Sequence, residues 1–199
     1  SPRKDMLVRH HRLRIIFAMM NELKKPKFYS NHRYRQGQNI AQPSESNDNI
    51  KELLLNNKLN ILDIGFGTGT STKNLYSNDK NNYFCIESYM QGINNLKKYV
   101  KLNKIKNICI FYGDATDIIS EILPDESIDE ILIFFPDPWP KTKHHKRRLI
   151  NSYTLNLFFS KLKKDGVLHF ATDHIIYAYS VRYMLEKFTG QKILFNANR

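Results

Sequence analysis

Residues 61–72 read I-L-D-I-G-F-G-T-G-T-S-T, and no other stretch restricts the possible folds as much. The apolar run Ile61, Leu62, Ile64 carries one acid, Asp63, a step before its end. It then breaks into Gly65, Gly67 and Gly69 ahead of a helix-compatible segment from Thr70 to Tyr76. A strand, a tight turn and a helix start are the unit from which parallel α/β sheets are built. A dinucleotide loop places its third glycine three residues after the second. Here Thr70 holds that place and the glycine comes one residue early. The spacing argues against a pyrophosphate cradle and a nicotinamide-dependent oxidoreductase.

From Ile50 onward helix-like and strand-like segments alternate. Tyr83–Ile86 reads as the next strand, ending at Glu87, a carboxylate about twenty residues past the glycine loop, where a ribose presents its hydroxyls. Met90, Ile93, Leu96 and Val100 share one helical face. A third strand, Ile108 to Phe111, leads to Gly113-Asp114-Ala115, with Asp114 placed to cap a helix. Asp63, Glu87 and Asp114 thus fall at carboxyl ends of parallel strands, where open α/β sheets bind ligands. The D-x-G-x-G-x-G pattern at 63–69 resembles the first motif of S-adenosylmethionine-dependent methyltransferases. That resemblance implies a Rossmann-like α/β fold, a mostly parallel central sheet flanked by helices, and S-adenosylmethionine as cofactor. It also implies that Gly65, Gly67 and Gly69 pass the amino-acid end of the cofactor and that Asp114 meets its adenine.

The strand-like run 128–135 ends in Pro136-Asp137-Pro138-Trp139-Pro140 and continues as K-T-K-H-H-K-R-R, residues 141–148. The prolines fix φ around Asp137 and forbid helix, so one carboxylate is held rigidly at a strand end beside an indole. Five of the eight residues from 141 to 148 are cationic, suited to holding phosphates while a base enters the pocket. Adjacent His144 and His145 lack the spacing and companions of a zinc site, and no metal is expected.

These stretches together resemble the bacterial-type transfer-RNA (guanine-N7-)-methyltransferase family. The likeness is carried by D-I-G-F-G-T-G at 63–69, Ile86-Glu87, Gly113-Asp114-Ala115, F-F-P-D-P-W-P-K at 134–141, H-H-K-R-R at 144–148 and H-F-A-T-D at 169–173. It implies methyl transfer from S-adenosylmethionine to N7 of a guanosine in the variable loop of tRNA (position 46 in standard tRNA numbering). Asp63, Glu87, Asp114 and Asp137 would then lie at the cofactor, with Asp137 also the catalytic residue. Lys141 and Asp173 would hold substrate, and Lys143, His144, His145, Lys146, Arg147 and Arg148 would touch RNA. Two departures stand out: His174 follows Asp173 where the family usually has Trp, and the last residues, 191–199, lack the family's T-x-F-E-x-R closing segment. The closing strands at the sheet edge are accordingly expected to be partly missing. Two alternatives remain beside this reading: a non-catalytic RNA-binding protein of the same fold, and a methyltransferase acting on another RNA.

The charge agrees with a polyanionic partner. The chain of 199 residues has a formal net charge of +12, and ten Lys/Arg against two acids lie in residues 1–35. There Arg33-Tyr34-Arg35 sets an aromatic between two guanidiniums, a combination suited to phosphates and exposed bases; a solvated arm is the competing reading. The piece 13–23 reads as a short helix, and 38–49 as linker. The expected organisation is a basic arm and linker over 1–49 and a methyltransferase domain over 50–199. Further along, Tyr153, Leu157, Phe158 and Leu162 fit a helix capped by Asn151, Gly166 opens a strand at 167–171, and Ile176, Tyr179 and Tyr183 read as core packing. Cys85 and Cys109 lie in predicted strands as small apolar residues. No apolar run approaches a membrane span, so the expectation is a cytoplasmic enzyme, monomer or homodimer, with no membrane and no obligatory protein partner.

Overall fold

The computed structural model of the protein describes residues 14–20, 47–70, 73–76, 80–190 and 196–198. Arg33, Arg35 and most of the expected arm and linker lie outside them. In chain order the elements are β1 (Arg14–Met20), α1 (Asn47–Leu55), β2 (Leu59–Ile64), α2 (Lys73–Tyr76), β3 (Asn81–Glu87), α3 (Met90–Asn103) and β4 (Ile108–Tyr112). They continue as α4 (Ala115–Ile122), β5 (Ile128–Phe134), a 3₁₀ helix (Thr142–Arg147), α5 (Ser152–Lys161), β6 (Leu162–Thr172), α6 (Ile175–Thr189) and β7 (Asn196–Asn198).

The seven strands form one sheet in the order β4-β3-β2-β5-β6-β1-β7, and the pairings among them are parallel. From β2 the chain steps outward to β3 and β4, then returns to place β5 on the other side of β2. This reversal of strand order opens a crevice at the carboxyl ends of β2 and β5. Every residue of β3 after Asn81 is buried, as expected of a central parallel strand covered on both faces. Leu62, Ile64, Phe84 and Ile86 face the layer of α1, α4, α5 and α6, packing with Leu53, Ile118, Phe158 and Val181. Ile61, Tyr83 and Cys85 face the opposite layer, with Ile93 and Leu96 of α3. Cys85 and Cys109 are both buried, and they form no disulfide.

At the amino ends of the strands, buried asparagines tie α1 to the sheet. Asn82 donates to the Leu53 carbonyl at 2.8 Å and Asn60 to that of Leu54 at 3.4 Å, which satisfies two of the helix's orphan carbonyls. Asn151 caps α5 through a reciprocal box with Thr154, as expected from sequence.

Three expectations are corrected. Within the helix expected over 13–23, the described residues 14–20, R-I-I-F-A-M-M, are instead β1, paired with β6 from Arg14↔Val167 to Met19↔Thr172. A short, continuous apolar run rich in β-branched and aromatic residues suits a sheet strand better than a helix. It fills the sheet edge together with the three-residue β7. Gly166 does not open the next strand, because β6 starts at Leu162, directly after α5. Leu162, expected in the preceding helix, is thereby the first residue of β6, whereas Tyr153, Leu157 and Phe158 lie in α5 as expected. Finally, Ile176, Tyr179 and Tyr183 are exposed, and α6 buries Tyr177, Ala178, Val181 and Leu185. The helical phase is set by that second series, which leaves Tyr179 and Tyr183 on the exposed side of the helix.

Candidate active site

The glycine loop after β2 is shaped by three left-handed residues, Gly65, Gly67 and Gly69, at φ of 77°, 61° and 71°. Space around Gly65 and Gly67 is open, with no atom within 4 Å of where a Cβ would stand. The loop is pinned from β3: the Gly65 N–H donates to the Ile86 carbonyl at 2.8 Å, and the Gly67 N–H to Glu87 Oε2 at 2.6 Å. Glu87 Oε1 accepts from the backbone N–H groups of Ser88 and Tyr89 at 2.7 and 2.9 Å, the entry to α3. Glu87 is therefore a structural bracket between loop and helix, with lone pairs left on Oε2 for a hydroxyl donor. Gly92, in the first turn of α3, presses on this loop. A Cβ there would sit 1.9 Å from the Gly67 carbonyl oxygen.

Asp63 is 2 % exposed, and its Oδ2 accepts the hydroxyl of Tyr76 from α2. Burial pushes its carboxyl up to about 6, opposed by the Tyr76 hydrogen bond and reinforced by the Glu87 charge. Burial likewise drives the Tyr76 phenol far above its ordinary range, so it remains a donor. Because the folded-state value is raised, the native state binds the extra proton between about pH 4 and 6, and stability falls as pH rises through that window. Asp63→Asn should remove this fall. Urea unfolding from pH 4 to 8 should show the variant gaining on the parent by about 3 kcal/mol across the window, at ~1.4 kcal/mol per unit. Parallel pH profiles for the two proteins would contradict a buried Asp63 charge.

Asp114 caps α4, its Oδ1 accepting from the Thr116 N–H at 2.8 Å, and it remains exposed on the crevice rim. Beside it the Gly113 N–H donates to the Glu87 carbonyl at 3.1 Å.

After β5 the chain makes a strained corner. Phe135 and Trp139 take positive φ, 53° and 41°, each directly before a proline. Non-glycine residues held there cost on the order of 1–3 kcal/mol each and cluster at functional sites. Asp137 projects between them, exposed, with the desolvation it does undergo raising its carboxyl above the usual range. The Phe135 N–H donates to the Ala171 carbonyl of β6 at 2.8 Å, which ties the corner to the strand that delivers Asp173. The 3₁₀ helix follows, and packs back on the corner: the Arg147 guanidinium lies 5.0 Å from the Trp139 ring centre, and the His144 ring meets the indole edge-on at 5.7 Å.

The basic run is not uniform. Lys141, Lys143, Lys146 and Arg147 are exposed, whereas His144 and His145 are half-buried. Arg148, expected to touch RNA, is corrected: it is 5 % exposed, donates from Nε to the Pro138 carbonyl at 2.9 Å and lies 4.8 Å over the Tyr177 ring. Its place as last residue of a surface-like cationic run hid this, since the 3₁₀ helix before it buries none of its residues and gives no apolar signal for where burial begins. Asp173 is exposed at the end of β6, and His174 caps α6, its Nδ1 accepting from the Tyr177 N–H at 3.2 Å. A residue that looked like a family departure is thus a helix cap.

Sequence reasoning had also passed over Tyr76, Gly92 and Tyr177. Gly92 carried a legible signal, a glycine in the first turn of a helix, but its cause is a neighbour in space. Among the described residues no group of three or more His, Cys, Asp and Glu is disposed to hold a metal ion, and no helix is long and apolar enough to cross a membrane.

A parallel sheet with its order reversed between β2 and β5, a glycine loop bracketed by a strand-end glutamate and helices on both faces define the Rossmann-like fold of the S-adenosylmethionine-dependent methyltransferases. A solved antibiotic-related methyltransferase has the same fold, with a TM-score of 0.55 at 21% identity over 76% of this chain and 78% of that one. The chain belongs to the family described as "Putative methyltransferase", whose model matches residues 57–198. It is similar to the tRNA (guanine-N(7)-)-methyltransferase of Corynebacterium diphtheriae, 47% identical over 119 residues, 59% of this chain and 46% of that protein. It is also similar to the enzyme of that name from Buchnera aphidicola subsp. Acyrthosiphon pisum, 39% identical over 139 residues, 69% of this chain and 58% of that protein. The chain thus spans about half the length of these relatives.

Proposed function

We propose that this chain carries the methyl-transfer site of a tRNA (guanine-N7-)-methyltransferase, acting on a guanosine in the variable loop of tRNA, position 46. The observation that carries the reading is the corner at 135–139. It offers one carboxylate, Asp137, at the mouth of the crevice and leads at once into an exposed cationic helix. The names of the relatives agree with it.

The residues fit S-adenosylmethionine. The open space over Gly65 and Gly67 accepts the amino-acid end close to backbone, Oε2 of Glu87 retains acceptor capacity for a ribose hydroxyl, and Asp114 lies at the rim for the adenine amino group. Asp63 acts on this side only through the loop and Tyr76, being buried. When bound, the cofactor supplies an electrophilic methyl group on a sulfonium. Guanine N7 has an in-plane lone pair and no proton, so no general base precedes transfer and the task of the chain is positioning. Asp137 accepts hydrogen bonds from the Watson–Crick edge of the base and offsets the positive charge that develops on the ring. Lys141 and Asp173 are both exposed, and on this reading they hold the substrate. Lys143, Lys146 and Arg147 hold phosphates of the RNA, offsetting the few kcal/mol needed to draw a base out of a folded tRNA. Arg33 and Arg35 are kept as further RNA contacts of this reading, on their sequence pattern.

The test is direct. The protein, unmodified tRNA and S-adenosylmethionine are incubated, the RNA is digested to nucleosides, and 7-methylguanosine is sought by mass spectrometry. Its appearance supports the assignment. Its absence, with calorimetry still registering cofactor binding, would leave a binding protein of the same fold, and absence of both would remove the cofactor reading.

A further inference from the structure

We propose that Arg148 is the positioning residue of the Asp137 corner. Its buried guanidinium, held between the Pro138 carbonyl and the face of Tyr177, clamps the 135–139 turn in the shape that presents Asp137. The purpose of the clamp rests on the methyl-transfer reading above; the clamp itself does not.

The corner does not hold itself. Its two left-handed aromatics are each followed by proline, a combination that steric clash with the proline ring pushes toward extended backbone. Pro136, Pro138 and Pro140 contribute no N–H groups with which the turn can close on itself. One end is tied to β6 by Phe135 N–H to the Ala171 carbonyl at 2.8 Å, and the other by Arg148 Nε to the Pro138 carbonyl at 2.9 Å. The carboxylate that has to be aimed lies between these two ties.

Arg148 is also costly where it stands. It is 5 % exposed, its Nη2 is buried without a hydrogen-bond partner, and no carboxylate among the described residues lies within salt-bridge distance. An unpaired buried cation is among the most expensive groups a protein interior can hold. A cation needed only for phosphate would stand outside, as its neighbour Arg147 does. What the buried position provides is reach in two directions, the edge of the guanidinium to Pro138 and its face to the Tyr177 ring at 4.8 Å. A lysine ammonium, a point charge without a plane, cannot do both. Tyr177 is fixed in turn: its hydroxyl accepts the Ile150 N–H at 3.2 Å, and its ring meets Phe170 of β6 edge-on at 5.7 Å. The clamp therefore runs from β6 through Tyr177 and Arg148 to Pro138.

Trp139, the single tryptophan of the chain, sits in the corner and reports on it without any assay of activity. In Arg148→Lys, with far-UV circular dichroism unchanged, the Trp139 emission should shift to the red and acrylamide quenching should rise. Tyr177→Phe, which keeps the ring, should leave both as in the parent. Should Arg148→Lys not fold, Tyr177→Leu removes the ring together with its hydroxyl and should give the same red shift, the Tyr177→Phe variant isolating the loss of the hydroxyl. Parental Trp139 emission and quenching in the folded variant would overturn the clamp. In turnover, Arg148→Lys should lower kcat on the order of 10- to 100-fold with cofactor Kd held, as expected for a misplaced catalytic group. Asp137→Asn introduced into Arg148→Lys should then cost less than about threefold, the non-additivity of residues acting through one another. Fully additive losses would refute a role through Asp137. If the parent makes no 7-methylguanosine, the functional reading fails while the fluorescence arm still decides the clamp.

Discussion

Gly92→Ala should cost the protein its cofactor affinity while leaving it folded. The added methyl would stand 1.9 Å from the Gly67 carbonyl oxygen and 3.0 Å from its carbon, so one side of the contact has to move. Helix α3 is anchored by Ile93 and Leu96, 1 % and 0 % exposed, whereas the loop has open space around Gly65 and Gly67. The loop yields, and with it goes the 2.6 Å hydrogen bond from Gly67 to Glu87. Overpacking of this kind costs about 1–3 kcal/mol in stability, a few degrees in melting temperature. The effect on binding is larger, because loop backbone and Glu87 together form the proposed cradle. Isothermal titration with S-adenosylmethionine should show Kd raised about 100-fold, equivalent to about 2.7 kcal/mol. Unchanged affinity would mean that the loop does not need its present path to hold the ligand.

Asp137→Asn should have the opposite profile, with cofactor affinity retained and turnover lost. The guanine edge offers two N–H donors, and a carboxylate accepts both while also placing negative charge beside a ring that becomes positive. An asparagine of the same size accepts with one atom only and brings an NH₂ that opposes the donors. Loss of such a preorganised electrostatic contact typically costs about 10²–10³ in kcat. The parent should also lose activity on the acid side as Asp137 takes up a proton. Since desolvation raises its carboxyl, that loss begins at higher pH than for an ordinary carboxylate near 3.9, and the limb should be absent from the residual activity of the Asn variant. An Asn variant as active as the parent would remove Asp137 from the chemistry.

How far sequence carries the reading depends on whether the cause of a feature is local. The glycine loop, the strand-end Glu87 and the Asn151 cap were legible because spacing and residue type alone dictate them. The exposed side of α6 was misjudged because Ile176, Tyr179 and Tyr183 form as good a helical stripe as Tyr177, Val181 and Leu185. Only packing against the sheet chooses between the two. Arg148 was misjudged for a related reason: its neighbours in sequence are surface cations, while its partners, Pro138 and Tyr177, come from separate segments. The helix expected over 13–23 failed where a short apolar run fits either element and a strand 150 or so residues downstream decides.

The pairing of β1 with β6 sets a timetable on the folding of this chain. Arg14 finds its partner at Val167, so β1 cannot complete its hydrogen bonds with β6 until the roughly 150 residues between them have been synthesised. At about 5–20 residues per second that interval is on the order of ten to thirty seconds. Throughout it, R-I-I-F-A-M-M is an apolar segment with unpaired backbone, the kind of edge that other chains can capture. The pairing thus joins residues about 150 apart in sequence, on the flank of β6, the strand that ends at Thr172 directly before Asp173.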